Sequence, residues 1–135
     1  MWPFGKKKRA RFIDQASFEK NLESQTAMAP QTVAQLHGLG VRSGAPLRLE
    51  YFFYADSPEA GEALARALVG KGYSSECRPS GDGSPLLCIT GWSTPISIDE
   101  RTVVAWTAEM CRIGYEHDCE FDGWGTNPEQ PELQN

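Results

Sequence analysis

Leu47-Arg48-Leu49-Glu50-Tyr51-Phe52-Phe53-Tyr54-Ala55-Asp56-Ser57-Pro58-Glu59 is the stretch that decides the fold class. Leu47, Leu49, Tyr51 and Phe53 alternate with Arg48, Glu50, Phe52 and Tyr54, which is the period-two pattern of a strand. Both sides turn apolar towards the end, as expected of a central strand covered on both faces. A helix opens next. Ser57 can cap it, Pro58 suits a first helical position whose N–H would have no partner, and Glu59 meets the positive end of the dipole. Ala60, Ala63, Leu64, Ala67 and Leu68 make a narrow stripe suited to close packing on a sheet. Gly70 and Gly72 end the run.

Downstream, Tyr73 to Arg78 reads as a second strand and Leu86 to Trp92 as a third. Between them Pro79-Ser80-Gly81-Asp82-Gly83-Ser84-Pro85 is a turn, dense in residues that fix φ or tolerate its positive range. Ser97-Ile98-Asp99-Glu100 matches a capping box. The helix it opens carries Val103, Trp106, Met110 and Ile113 on one face, and Gly114 is its expected stop. Tyr115, His117, Cys119 and Phe121 then alternate with Glu116, Asp118 and Glu120 as a fourth strand. Asp122-Gly123-Trp124-Gly125-Thr126 reads as a turn. Strand, helix, strand, strand, helix, strand closes most readily into one four-stranded antiparallel sheet with both helices on one face, the ferredoxin-like α+β arrangement.

Upstream the pattern is weaker. Ile13, Ala16 and Leu22 suggest a helical segment, Ala29-Pro30 a break, and Gln31 to Leu36 a short helix stopped by Gly38 and Gly40. The chain thus divides into a basic arm over residues 1–28, partly disordered or helical, a domain over 29–126 and a polar tail over 127–135.

With 135 residues, the chain suffices for one domain with an adequate core. No apolar run approaches the roughly 20 residues that span a bilayer, and no apolar stretch follows the basic N-terminus as in a secretory signal. A cytoplasmic protein is expected. The formal charge is −5, which argues against nucleic acid as the main ligand of the whole chain. That charge is uneven. Lys6, Lys7, Lys8, Arg9 and Arg11 crowd the first twelve residues without an acid, whereas Gly114 to Asn135 holds six acids and no Lys or Arg. A basic arm on an acidic body suits either pairing with a basic partner or plain solubility.

None of Cys77, Cys88, Cys111 and Cys119 sits in a C-x-x-C pair, so zinc-ribbon and redox-dithiol spacings are missing. Thiols are expected in a reducing compartment. A hairpin symmetric about Asp82-Gly83 would set Cys77 opposite Cys88, the one disulfide candidate. No phosphate loop, nucleophile elbow or metal-ligand spacing occurs. His117 and Cys119, two apart on a strand, stand too far apart for a thiolate–imidazolium pair. An enzyme is not expected, nor a cofactor, a metal or a small-molecule substrate.

Two constellations remain. Glu116, Asp118 and Glu120 would share one side of the fourth strand, about 7 Å apart, with Asp122 just beyond. A solvated strand face is the plain reading. Three carboxylates without a local counter-ion also suit a basic partner, since their repulsion is relieved by a cation. Trp124, between Gly123 and Gly125, either folds back as a plug or serves as an interface contact. The second constellation is Trp2 and Phe4 with Lys6, Lys7, Lys8, Arg9 and Arg11. It reads as a solubilising arm, or as one that touches an anionic membrane or RNA.

Glu120-Phe121-Asp122-Gly123-Trp124-Gly125-Thr126 resembles the E-[YF]-D-G-W-x-T signature of the regulator of ribonuclease activity B family, small bacterial proteins known as ribonuclease E inhibitors. The aromatic strand Leu49 to Tyr54, Ala55-Asp56-Ser57 before a helix, Gly72-Tyr73 and the acidic helix start Asp99-Glu100 are similar too, so the resemblance covers about residues 30–126. It implies a non-catalytic, cofactor-free protein on a ferredoxin-like fold that binds ribonuclease E and damps RNA decay. The family's best-known member carries a long acidic C-terminal tail; here nine residues with two acids follow Thr126.

Overall fold

The computed structural model describes residues 10–130. It is a mixed α/β structure with three helices and two antiparallel sheets, one of two strands and one of four. The elements run α1 (Gln15–Gly38), β1 (Pro46–Leu47), β2 (Glu50–Ala55), α2 (Pro58–Gly70), β3 (Glu76–Pro79), β4 (Leu87–Trp92), β5 (Ile96–Ser97), α3 (Glu100–Glu116) and β6 (Glu120–Gly125). The larger sheet has the order β3-β4-β2-β6, every neighbouring pair antiparallel.

The decisive stretch folds largely as read. Ser57 caps α2, its hydroxyl accepting from the Ala60 N–H at 3.2 Å, with Pro58 first in the helix. The expected strand is interrupted, however. Leu47 pairs with Ile96 in the small sheet, and β2 starts only at Glu50. Fully buried Ser93 bridges the step. Its hydroxyl accepts from the Leu49 N–H, and its own N–H donates to the Leu49 carbonyl.

Tyr51, Phe53 and Ala55 point from β2 into the core, where they meet Leu64 and Leu68 of α2, Val103, Trp106 and Met110 of α3, Ile89 of β4 and Phe121 of β6. Gly114 does not end α3, which continues to Glu116. Its role is steric: a Cβ there would stand 2.8 Å from the Phe53 ring and 2.9 Å from the Cys119 carbonyl oxygen. The cap of α3 is Asp99, whose carboxylate accepts from the Thr102 N–H at 2.9 Å. Ser97, expected to cap, lies in β5 and donates its hydroxyl to Asp99 instead.

The N-terminal region differs most from expectation. One helix of 24 residues runs through Pro30 without a break. Proline in a helix interior costs about 3 kcal/mol through its missing N–H and its ring. Ala29, Val33 and Leu36, all buried, recur at helical spacing and hold both halves of α1 against the same cluster. Further along, Phe18 stacks on Tyr115 of α3 with ring centroids 4.4 Å apart. Tyr115 therefore belongs to a helix–helix contact rather than to a strand.

The hairpin between β3 and β4 turns about Gly83, with Pro79 opposite Leu87. The Asp82 carboxylate organises this turn by accepting from the Ser80 hydroxyl and the Ser84 N–H. This centre lies half a residue beyond the expected one, so Cys77 pairs with Ile89 and Cys88 with Arg78. A one-residue offset puts the two thiols on opposite faces. No disulfide joins them, and all four cysteines are free.

Candidate protein interface

The expected ladder of Glu116, Asp118 and Glu120 does not form. Glu116 is the exposed last residue of α3. Asp118 follows at φ 58°, reversing the chain before β6 begins at Glu120. The alternation that suggested a strand is the last helical turn run into a tight reversal. Asp118 also turns towards its own N-terminal segment: its carboxylate accepts from the Phe12 N–H at 3.0 Å and the Ile13 N–H at 2.9 Å. Arg11 closes the clamp. Its guanidinium stands 3.7 Å from Asp118, donates to the Tyr115 carbonyl and lies 4.4 Å above the Tyr115 ring. Of the basic arm, Arg11 is thus bound back onto the body, while Trp2, Phe4, Lys6, Lys7, Lys8 and Arg9 lie outside the described residues.

Asp122 to Gly125 is part of β6 and not a turn. Phe52 and Phe53, neighbours on β2, oppose Gly123 and Phe121, so Asp122 is the extra residue of a bulge. Gly123 takes φ 129°, a value side chains disfavour. The bulge sets Asp122 outward at the sheet edge and aims Trp124 inward. Trp124 packs edge-to-face on Trp106 with centroids 6.2 Å apart, and it lines a cleft of about 240 Å³ with Gln25, Phe52 and Asp122. The indole therefore both plugs the edge and borders a surface recess. Alongside, Asn21 of α1 donates to the Phe121 carbonyl at 2.9 Å and covers part of the β6 edge.

Among the described residues the helices cover β2 on one face only, against the expectation of cover on both. The opposite face presents Glu50, Phe52 and Tyr54, all half-buried, and among the described residues no helix packs across it. The pairing register builds a grid there. Glu76, Thr90, Phe52 and Gly123 form one row, and Arg78, Cys88, Tyr54 and Glu120 the next. Trp92 stands opposite Glu50 at the end. Arg78 pairs with Glu76 at 3.1 Å. Glu50, Glu120 and Asp122 make no ion pair among the described residues. Burial, and then the nearby Asp122 charge, raises the Glu120 carboxyl above its usual range; burial raises Asp122 likewise. Asp122 in turn pushes the Tyr54 phenol upward. Phe52, Tyr54 and Glu50 were missed as site residues because apolar residues on both faces of a strand normally mark double cover, whereas Trp92 at the end of its strand reads from sequence as either core or a sheet-face contact. The signal that could have found them was the single acid among the aromatics.

A family model described as regulator of ribonuclease activity B matches residues 26–126, from within α1 to the residue after β6. The chain belongs to the regulator of ribonuclease activity B family. No curated protein sequence matches it. In this family member the motif Asp122-Gly123-Trp124 is the bulge that shapes the sheet edge. Its histidines bond to nearby backbone carbonyls, and Cys111 and Cys119 sit in the core cluster. His37 bonds through Nδ1 to the Val41 carbonyl at 2.8 Å and His117 to the Ile113 carbonyl at 2.9 Å. Burial pushes the thiols of Cys111 and Cys119 up to about 12, far from the thiolate range that nucleophiles need. Among the described residues no group of three His, Cys, Asp or Glu could hold a metal ion, and no helix is long and apolar enough to cross a membrane.

Proposed function

We propose that the chain is a non-catalytic, cofactor-free regulator that binds a basic segment of ribonuclease E, or of a similar ribonuclease, and thereby lowers RNA cleavage in the cytoplasm. Membership of the regulator family supports the activity. One observation carries the choice of surface: among the described residues, Glu50, Glu120 and Asp122 surround an aromatic sheet face that no helix covers, and they have no ion-pair partners there. Like charges gathered on one face repel, and a cationic segment relieves that repulsion while Phe52, Tyr54 and Trp92 supply apolar contact.

Glu120, Asp122 and Trp124 form the edge of this surface, whereas Glu116 ends α3 on the helix side of the sheet. Asp118 acts on the partner through the fold, by fixing the N-terminal segment beside β6. The order β3-β4-β2-β6 with α2 and α3 as crossovers supports a ferredoxin-like reading of the domain at 29–126, with α1 shared across its first boundary.

The test measures inhibition of ribonuclease E cleavage by the unaltered chain and by an Glu120→Lys/Asp122→Lys double variant. Exposed charge pairs contribute 0.2–1 kcal/mol each, and reversal adds repulsion, so potency should fall about tenfold. Equal potency, with unchanged folding, would contradict the surface assignment.

A further inference from the structure

The larger sheet ends in β3, and among the described residues no strand pairs with its outer side. Backbone groups along an antiparallel strand point alternately to its two sides. The N–H groups of Ser74 and Ser80 donate inward, to the carbonyls of Trp92 and Leu86. Glu76 and Arg78 share that phase, so Ser75, Cys77 and Pro79 turn their backbone groups outward. Such an edge is a template for another strand. Pro79 brings to it a carbonyl but no N–H.

The side chains divide in the same rhythm. Glu76 and Arg78, both exposed, stand on the open face. Cys77 turns to the helix side, where a Cβ on Gly61 of α2 would lie 2.9 Å from its Sγ. A groove of about 490 Å³ follows this edge, bordered by Glu62, Ala65, Arg66 and Val69 of α2 and by Ser75 and Cys77. Val69 is 56% exposed there, one of the few large apolar side chains left in water.

We infer that the β3 edge is a self-association surface, on which a second copy of the chain adds its own β3, antiparallel, about a two-fold axis at Cys77. Charge selects both the occupant and the register. Centred on Cys77, the pairing sets Glu76 opposite the second copy's Arg78, and Arg78 opposite its Glu76. These positions are the closely spaced, non-hydrogen-bonded ones, where side chains meet best. Centred on Glu76 or on Arg78, the pairing would set like charges face to face, which destabilises a strand pair. The backbone fits the same register. The two Cys77 residues exchange N–H and carbonyl bonds, and each Ser75 N–H meets a Pro79 carbonyl, so the proline is used only as an acceptor.

The axis stands perpendicular to the sheet, so α2 runs antiparallel to its copy on the helix side. Glu62 and Arg66, one helical turn apart, repeat the complementarity that a two-fold interface requires, and Ala65 and Val69 supply apolar contact. The inference is independent of what the open face binds.

The experiment is sedimentation of the full chain from micromolar to millimolar concentration, unaltered and as Glu76→Arg, Arg78→Glu and the exchanged Glu76→Arg/Arg78→Glu variant. Urea unfolding checks that each is folded. The unaltered chain should reach twice the mass of one copy. Each single reversal puts like charges opposite at both symmetric positions and should weaken association about tenfold or more. The exchanged variant restores opposite charges and should recover most of that loss. Amide exchange supplies a readout that needs no variant: Ser75 and Cys77 should slow as the dimer fills, while Glu76 and Arg78, already paired with β4, change little. A chain that stays monomeric throughout overturns the inference. So does a dimer indifferent to both single reversals, or one in which Ser75 and Cys77 exchange as fast as in dilute solution.

Discussion

The two faces of the same four-stranded sheet differ sharply in cover among the described residues. Against the helices, Tyr51, Phe53, Ala55 and Ile89 are fully buried and their neighbours fill one continuous cluster. On the other side Glu50, Phe52 and Tyr54 of β2 remain half-buried, beside the buried Cys88 and Thr90 of β4. Phe52 and Phe53 are adjacent in the chain and chemically identical, yet one closes the core and the other borders a surface cleft. On the proposed function, stability and recognition would separate here at the resolution of a single residue.

The largest expected effect breaks that comparison at its centre. Phe53→Ala should cost about 3–5 kcal/mol in urea unfolding, through lost burial and the cavity left behind. Phe52→Ala, half-exposed, should cost about 1 kcal/mol or less while weakening partner binding. Comparable losses at both positions would show that the outer face is packed too. Next in size is Gly114→Ala, which drives a methyl into Phe53 and the Cys119 carbonyl and should destabilise by about 1–3 kcal/mol.

The clamp that joins the N-terminal segment to the body should respond more modestly. Asp118→Ala removes the acceptor for the Phe12 and Ile13 N–H groups and should cost about 1–2 kcal/mol. Amide exchange at those two residues should quicken while the core strands stay protected. Unchanged exchange would mean that the segment is held by Phe12 and Ile13 packing alone.

The smallest effect sharpens the contrast through pH. Glu120 and Asp122 have carboxyls raised by burial, so the folded state binds their protons more readily than the unfolded chain does. Their ionisation therefore weakens the fold, and stability from these two rises as pH falls into the carboxylate range. Asp14, Asp82 and Asp99 act in the opposite sense. Hydrogen bonds from Ser17, from Ser80 and Ser84, and from Thr102 hold them low, Asp82 down to about 2. Their contribution is complete above the ordinary carboxylate value and is lost as pH falls towards 2. A Glu120→Gln/Asp122→Asn variant should thus be at least as stable as the unaltered chain at pH 7, its advantage vanishing near pH 4. A variant less stable at pH 7 would mean that these carboxylates are already compensated within the chain.

Where local chemistry alone dictates structure, the sequence was legible. Asp56-Ser57-Pro58 announces α2 through a cap and a proline that need no tertiary partner, and Leu86 to Trp92 lies within a residue of β4. Legibility ended where packing overrides local preference. Pro30 looks like a break until Ala29, Val33 and Leu36 are seen against the core. Tyr115 to Phe121 alternates by coincidence, because Asp118 reverses the chain where no glycine marks it. The cysteine register hung on a half-residue shift in a turn centred by the Asp82 side chain. The family motif was recognisable as a string, but its bulge was not, since a bulge exists only relative to the strand opposite.

Mapping a basic ribonuclease E segment onto the full chain by amide shift changes tests the central claim most directly. The perturbed residues should be Glu50, Phe52, Tyr54, Thr90, Trp92, Glu120 and Asp122, with the effect fading as salt is raised. Changes gathered instead around Glu62, Arg66, Val69 and Cys77, in the groove between α2 and the β3 edge, would contradict it.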